Sequence, residues 1–158
     1  MAATRKRKQK WGKGTLFAVP LDDGSFTIGL VLAVEPDALN SFIGAFYLHR
    51  LHDEFTSEDL TIDFPSPMAV QFVTRDLLDS GVWKVIGCLE NVPDPGAYLP
   101  LTEMKRNRFV GVTVRGSGIV RKFLNAIYGL GPWNAYPRMG EDYFDGFLLH
   151  PRFKPGSD

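Results

Sequence analysis

Cysteine is nearly missing from this chain: Cys88 is the only one among 158 residues. A single thiol cannot form an intramolecular disulfide, so the core alone must hold the fold together, which suits a reducing cytosol. Cys88 lies in the apolar run over residues 85–89, and no activating base adjoins it. We therefore expect a small buried core residue rather than a catalytic thiol.

Long apolar runs are absent as well. No stretch approaches the about 18 apolar residues of a membrane-spanning helix, so no span is expected. The basic start of the chain is not followed by an uninterrupted apolar segment with a small-residue cleavage site, which argues against a secretory signal. Together these absences predict a cytoplasmic protein.

The chain also lacks the usual signatures of catalysis. It contains neither G-x-S-x-G nor H-E-x-x-H, and the glycine pair at residues 116–118 is not followed by the Lys-Ser or Lys-Thr of a phosphate-binding loop. His49 and His52 form an H-x-x-H pair, but on a strand this spacing places them on opposite faces. We predict no metal, no cofactor and no enzyme activity. A barrel-type ribonuclease using His49 or His52 as its acid–base group is a weaker alternative.

Charge is balanced overall but unevenly spread, with 18 basic and 18 acidic residues. Residues 1–13 carry six bases and no acid. We predict a disordered basic tail over residues 1–10, with nucleic-acid contact as its alternative role. From residue 51 to residue 74 there is no Lys or Arg, whereas five acids accumulate there: Asp53, Glu54, Glu58, Asp59 and Asp63. Unbalanced like charge causes self-repulsion within the fold. The acidic stretch could be retained because it binds a basic partner, or it could be a solvated loop without a partner.

The strongest structural signal is the stretch over residues 15–32, where two apolar runs flank Asp23-Gly24. Asp-Gly between alternating apolar residues predicts a tight β-hairpin, because Gly adopts positive φ without steric cost. Phe17 and Val19 would point to one face and their neighbours to the other. Since both faces are apolar, we expect the hairpin to be covered on both sides.

Short strand patterns continue along the chain. We predict further strands over residues 42–51, 68–73, 83–89 and 109–114, a turn or short helical turn at 76–81, a loop at 91–100, a helix at 119–128 and a second short helix at 141–149. The fold class is therefore mainly β (α+β), a bent antiparallel sheet or SH3-like barrel with one or two C-terminal helices, in a single domain over residues 11–158. The predicted core includes Phe17, Val19, Ile28, Trp83, Val85 and Val112.

Two aromatic residues near the end of the chain, Trp133 and Tyr136, lie in a turn-like segment that ends in Pro137. They could pack against the core. They could also anchor an interface, because Trp and Tyr concentrate binding energy.

One family resemblance rests on two segments, residues 14–24 (GTLFAVPLDDG), with Gly29 a few residues on, and residues 83–87 (WKVIG). On these, the chain resembles the bacterial immunity protein 26 family of polymorphic toxin systems, over roughly residues 11–90. The resemblance implies a protein that binds and neutralises a toxin in the same cytoplasm. It supplies no catalytic residues.

Two functions follow. As an immunity protein, the chain would meet a basic toxin surface, such as the substrate groove of a nuclease, because opposite charge speeds association. The partner-binding residues would be Asp53, Glu54, Glu58, Asp59, Asp63, Trp133 and Tyr136. The alternative is an SH3-like nucleic-acid-binding module that uses the basic tail and exposed aromatics. The oligomeric state stays open.

Overall fold

The computed structural model describes residues 9–52, 62–140 and 142–156. Within these residues, six strands form one sheet in the order β5-β1-β2-β3-β4-β6. Their bounds are β1 Thr15–Pro20, β2 Phe26–Glu35, β3 Ser41–Leu51, β4 Ala69–Thr74, β5 Lys84–Cys88 and β6 Val114–Arg115. In this part of the chain three α-helices accompany them: α1 Asp76–Ser80, α2 Leu101–Arg106 and α3 Ser117–Ile127. Short 3₁₀ helices cover Pro95–Ala97, Pro137–Met139, Tyr143–Phe147 and Pro151–Phe153.

The predicted mainly-β, α+β class is confirmed, and the sheet is open rather than closed into a barrel. Neighbouring strands pair antiparallel from β5 to β4. The last pairing, between β4 and β6, is parallel and short, joining Phe72 with Val114 and Val73 with Arg115. The sheet is therefore mixed, and β6 covers only the last part of the β4 edge.

The predicted hairpin is confirmed. β1 and β2 pair antiparallel up to Pro20 and Phe26, and Gly24 in the turn has a φ of 86°. The backbone N–H of Leu21 donates to the carbonyl of Ser25 at 2.8 Å and closes the turn. Positive φ at this position is the reason the turn needs glycine.

Both faces of the sheet are covered, as the alternation predicts. One core contains Phe17, Val19, Phe42 and Phe46 and packs against α1, α3 and the C-terminal segment. The other contains, among others, Leu16, Ile28, Leu30, Ile43 and Tyr47, with α2 beside it. Phe17 extends its ring over Gly29 on β2, where an added Cβ would collide with the ring. The absence of a side chain at Gly29 therefore makes room for the ring of Phe17.

Trp83, Phe17, Val19 and Ile28 are fully buried, as predicted. Three other core predictions are wrong: Val85 and Val112 are only half-buried, and Cys88 is exposed. Val85 and Cys88 lie on β5, which is an edge strand of the sheet and has a neighbour on one side only. An edge strand leaves part of its side chains accessible to solvent.

The predicted strand over residues 109–114 is reduced to Val114–Arg115. Arg108 and Phe109 have positive φ values of 54° and 60°, which is incompatible with an extended strand, and the next residues form turns. The structure also contains α2, which the sequence did not indicate.

The main helix is confirmed, with α3 beginning two residues earlier than predicted at Ser117 and ending at Ile127. The helical turn at residues 76–81 is α1. The second short helix, predicted over residues 141–149, is a 3₁₀ helix at Tyr143–Phe147, and residue 141 lies outside the described residues.

Candidate partner-binding site

Four of the predicted partner-binding acids, Asp53, Glu54, Glu58 and Asp59, lie outside the described residues. The fifth, Asp63, is exposed in the segment that leads into β4. No ion pair involves Asp63 among the residues that the structure describes.

Two tyrosines hold the segment that carries Asp63. The hydroxyl of Tyr47 donates to the carbonyl of Phe64 at 2.7 Å, and the two rings meet edge to face at 5.5 Å. The hydroxyl of Tyr98 donates to the carbonyl of Pro65 at 2.6 Å. Burial raises the pKa of both tyrosines, and the negative charge of Asp63 raises the pKa of Tyr98 further. Both hydroxyls therefore stay protonated and keep donating at neutral pH.

Asp63 lines a groove of about 260 Å³ between the end of β3 and the C-terminal segment. Leu48, 54% exposed, and His49 contribute from β3, while Arg152 and Phe153 form the other side. The guanidinium of Arg152 lies 4.8 Å from the ring of Phe153. The groove thus combines one carboxylate, one cation and apolar surface, a mixture that suits side chains of a protein partner.

His49 has a distinctive environment in this groove. Its backbone N–H donates to the hydroxyl of Tyr128 at 3.1 Å, whereas its buried Nε2 has no hydrogen-bond partner among the described residues. No group of three or more His, Cys, Asp or Glu residues within the described part of the chain could hold a metal ion. Within the described residues, nothing joins His49 and His52 to complete a metal site.

Trp133 is half-buried, and its orientation is fixed. Its indole Nε1 donates to Oδ1 of Asp145 at 2.6 Å, and this bond is the main reason why the pKa of Asp145 is lowered. Oδ2 of the same carboxylate accepts from Nζ of Lys154 at 3.2 Å. The indole ring lies 5.9 Å from Phe123 and 5.6 Å from Phe144. Trp133 therefore packs against the core with part of its surface accessible.

Tyr136 belongs to the same aromatic cluster, which consists of Phe123, Trp133, Tyr136, Tyr143, Phe144 and Phe147. Its ring meets Tyr143 at 5.9 Å and Phe144 at 5.8 Å, both edge to face. Partial burial raises the pKa of Tyr136. Trp133 and Tyr136 thus both contact Phe144, and the structure brings these two predicted residues together.

No hydrogen bond, ion pair or ring contact joins Asp63 directly to Trp133 or Tyr136 in the described part of the chain. The two regions are linked through the C-terminal segment instead. Arg152 and Phe153 line the groove of Asp63, and the next residue, Lys154, binds the carboxylate that holds Trp133. Sequence reasoning missed Arg152 and Phe153, since no motif in that segment connects it with β3.

The described residues contain no helix long and apolar enough to span a bilayer.

Comparison with known proteins places the chain in one family. The family model described as Immunity protein 26 matches residues 12–102, which comprise β1 to β5 and the start of α2. No curated protein and no solved structure matches significantly. The matched range includes both segments on which the resemblance rests and more than half of the chain. The chain therefore belongs to the Immunity protein 26 family.

Proposed function

We propose that this protein is an immunity protein that binds and neutralises a cognate toxin of a bacterial polymorphic toxin system in the cytoplasm. The observation that carries the proposal is the family match over residues 12–102. The protein acts by binding, without catalysis and without a cofactor. The partner is the toxin encoded beside it.

The toxin-binding face, in this proposal, contains the acidic stretch of Asp53, Glu54, Glu58, Asp59 and Asp63. The exposed position of Asp63, and the lack of an ion pair to it among the described residues, support this assignment. A basic toxin surface, such as the substrate groove of a nuclease, would supply the missing cations. Charge complementarity of this kind raises the association rate and suppresses wrong partners.

Trp133 and Tyr136 act as aromatic anchors at the edge of this face. Their contacts with Phe144, and the bond from Trp133 to Asp145, hold both rings in place before the partner arrives. A side chain that is already ordered loses little conformational entropy on binding, so more of its contact energy remains as affinity.

Association kinetics with the neighbouring toxin test the acidic face. We expect the double reversal Glu58→Lys with Asp59→Lys to slow association and to weaken its dependence on salt, because exposed charges act through long-range steering. The matched control reverses two exposed acids outside the stretch, Glu90 and Glu103. If reversing Glu58 and Asp59 leaves the association rate and its salt dependence unchanged, the acidic stretch is not the interface. The same conclusion follows if reversing Glu90 and Glu103 has an equal effect.

A separate measurement tests the function itself. Co-expression with the toxin should restore growth, and a purified complex should form. If co-expression does not restore growth and no complex forms, and if the chain binds generic duplex DNA in a salt-dependent way, the nucleic-acid-binding alternative is favoured.

A further inference from the structure

The long strand β3 contains a bulge close to its end. Thr27 of β2 lies opposite Arg50, whereas the next residue of β2 lies opposite Tyr47. The residues between these two on β3, Leu48 and His49, therefore have no partner on β2. Within the described residues, β4 pairs with β3 only as far as the residue before Tyr47. A bulge interrupts regular pairing and redirects side chains, and bulges are common next to functional sites.

Leu48 departs from the burial pattern of its strand. Side chains alternate along a regular strand, so Leu48 would share the face of Phe46, whose ring is fully buried. Leu48 is nevertheless 54% exposed, the first exposed residue of β3, and it lines the groove that contains Asp63. Ile62 and Phe153, both half-buried, line the same groove. An accessible apolar side chain thus lies beside an acid of the proposed toxin-binding face.

Two hydroxyl groups hold the main chain of the bulge. Oγ1 of Thr27, a fully buried residue, donates to the carbonyls of Tyr47 and His49 at 3.1 and 3.2 Å. The hydroxyl of Tyr128, at the end of α3, lies 2.7 Å from this Oγ1 and accepts the N–H of His49 at 3.1 Å. These bonds satisfy main-chain groups on both sides of Leu48 and so fix the position of its backbone.

A single exposed leucine is ordinary on a protein surface and by itself indicates nothing. Leu48 differs because side chains from β2 and α3 bind the main chain around it. Regular pairing with β2 would satisfy the same main-chain groups without any side chain. Arg50, which follows the bulge, is held as well: its guanidinium lies 5.5 Å from the ring of Tyr128, and its Nε donates to Oγ of Ser25 at 3.0 Å. The fold thus maintains an irregular segment whose result is one accessible apolar side chain.

We propose that this bulge presents Leu48 as an apolar contact residue of the toxin-binding face, with Thr27 and Tyr128 as its positioning residues. The toxin side chain that contacts Leu48 is aliphatic or aromatic and lies next to the basic group that binds Asp63. This inference rests on the proposed function and deepens it. Exposed charges act mainly on the association rate, whereas an apolar contact that becomes buried on binding slows dissociation.

Surface plasmon resonance with the toxin encoded beside this protein tests the contact. Leu48→Ala should change the association rate by less than about twofold and speed dissociation about tenfold, because it removes a contact that forms only in the complex. Its melting curve should match that of the original chain. The matched control is Val82→Ala, which also shortens an exposed apolar side chain, next to β5 and separated from β3 by β1 and β2. The control should leave both rates unchanged.

A double-mutant cycle tests the positioning. Tyr128→Phe keeps the ring and removes the hydroxyl, and it should speed dissociation about fivefold when Leu48 is present. In a chain that also carries Leu48→Ala, the same change should have less than about a twofold effect, because it acts through Leu48. Thr27→Val, which removes the other hydroxyl and keeps the branched shape, should repeat this pattern. Thermal melting of each variant shows whether it folds.

Hydrogen exchange gives a measurement that does not need the toxin. The amide of His49 should exchange at least about tenfold faster in Tyr128→Phe than in the original chain, because its acceptor is lost. Equal exchange in the two chains would mean that Tyr128 does not hold the bulge.

The outcomes separate this inference from the proposed function. If the original chain binds the toxin and Leu48→Ala dissociates no faster than Val82→Ala, Leu48 is not a contact residue, while the proposed function stands. If Tyr128→Phe speeds dissociation by the same factor with and without Leu48→Ala, Tyr128 does not act through Leu48. If the original chain does not bind the active toxin at all, the proposed function fails and the contact at Leu48 fails with it.

Discussion

Trp83 stacks flat on Phe17, with ring centroids 5.4 Å apart and planes inclined by 8°. Both side chains are fully buried. Trp83 precedes the edge strand β5, while Phe17 lies on β1, so the stack joins the edge of the sheet to its interior. Phe46 of β3 meets the same indole edge to face at 6.1 Å.

Replacing Trp83 with alanine should cost roughly 3–5 kcal/mol in the free energy of unfolding, because it empties a fully buried aromatic site. Trp83→Phe should stay within about 1.5 kcal/mol of the original chain. The reason is that the buried indole N–H has no hydrogen-bond partner among the described residues, so its removal offsets part of the lost packing. Urea unfolding of both variants measures the difference. Equal losses would mean that the stack contributes little.

The link between α3 and the hairpin gives a second prediction. Asn125 is buried, and its Oδ1 accepts the backbone N–H of Asp22 at 2.8 Å while its Nδ2 donates to the carbonyl of Arg121 at 3.0 Å. Asn125→Ala leaves the Asp22 N–H without its acceptor and should cost about 1–3 kcal/mol in urea unfolding.

The matched control for Asn125→Ala is Arg121→Ala. It removes the exposed ion pair between Arg121 and Asp22, 3.3 Å long, and keeps the main-chain carbonyl of Arg121 to which Asn125 donates. An exposed pair contributes about 1 kcal/mol or less, so this variant should change stability far less than Asn125→Ala does. A control that is as destabilising as Asn125→Ala would locate the link in the ion pair instead.

Asp23 predicts a stability change at acid pH. Hydrogen bonds from the side chain and backbone of Ser25, and then the guanidinium of Arg50, lower its pKa from the usual 3.8 to about 2. A carboxylate with a lowered pKa stabilises the fold fully above 3.8, and this contribution disappears as the pH falls toward 2. The free energy of unfolding should therefore decrease across that window. In Asp23→Asn the decrease should be smaller, as urea unfolding at a series of pH values would show; an unchanged slope would contradict the assignment.

The sequence predicts those features of the structure that depend on residues close together in the chain. Features that depend on contacts between distant residues are not predicted. The hairpin and the two-faced alternation of β1 rest on local patterns, and both are confirmed. The sequence pattern predicts Phe109 in a strand, and this prediction is wrong. The left-handed conformation of Phe109 depends on packing against Phe72, a contact that no local pattern reveals. Cys88 is exposed because β5 lies at the edge, and strand order is likewise not visible in one strand's composition.

The same reasoning applies to the candidate site. The absence of Lys and Arg from residues 51–74 is visible in composition alone. The wall formed by Arg152 and Phe153 is not, because it requires the C-terminal segment to return to β4. The backbone N–H of Leu149 donates to the carbonyl of Met68 at 2.9 Å and makes that return. A contact across so much of the chain leaves no sequence pattern at either end.

Trp133 should contribute to toxin binding through the dissociation rate. Trp133→Ala should speed dissociation and weaken binding by about 2 kcal/mol or more, as surface plasmon resonance with the toxin would measure. Because Trp133 also contacts Phe123 and Phe144, the variant must first be shown to fold by its melting curve. Trp133→Phe is the matched control, since it keeps an aromatic ring and loses the bond to Asp145. Unchanged kinetics in a folded Trp133→Ala variant would restrict Trp133 to a role in packing.

The start of the described chain is attached to the domain by Gln9. Its Nε2 donates to the carbonyls of Leu78 and Trp83 at 2.8 and 2.9 Å, and its Oε1 accepts the N–H of Val85 at 3.0 Å. The predicted basic tail over residues 1–10 thus includes one residue with three side-chain bonds to the domain. A deletion that tests the tail should therefore end at residue 8, so that these bonds survive.

Deleting residues 1–8 should leave both the melting curve and toxin protection unchanged if these residues only form a tail, because Gln9 and Trp11 keep their contacts. Deleting residues 1–11 should lower the free energy of unfolding by about 2 kcal/mol or more, since it also removes the bond from Trp11 to Asp79 at 2.9 Å and the contact of its ring with Arg75 at 4.9 Å. Comparing the two deletions distinguishes the effect of losing basic charge from the effect of losing the contacts of Gln9 and Trp11 with the domain. If the shorter deletion abolishes protection while the melting curve stays unchanged, the basic residues contact the toxin, and the toxin then presents acidic surface as well as basic surface to this protein.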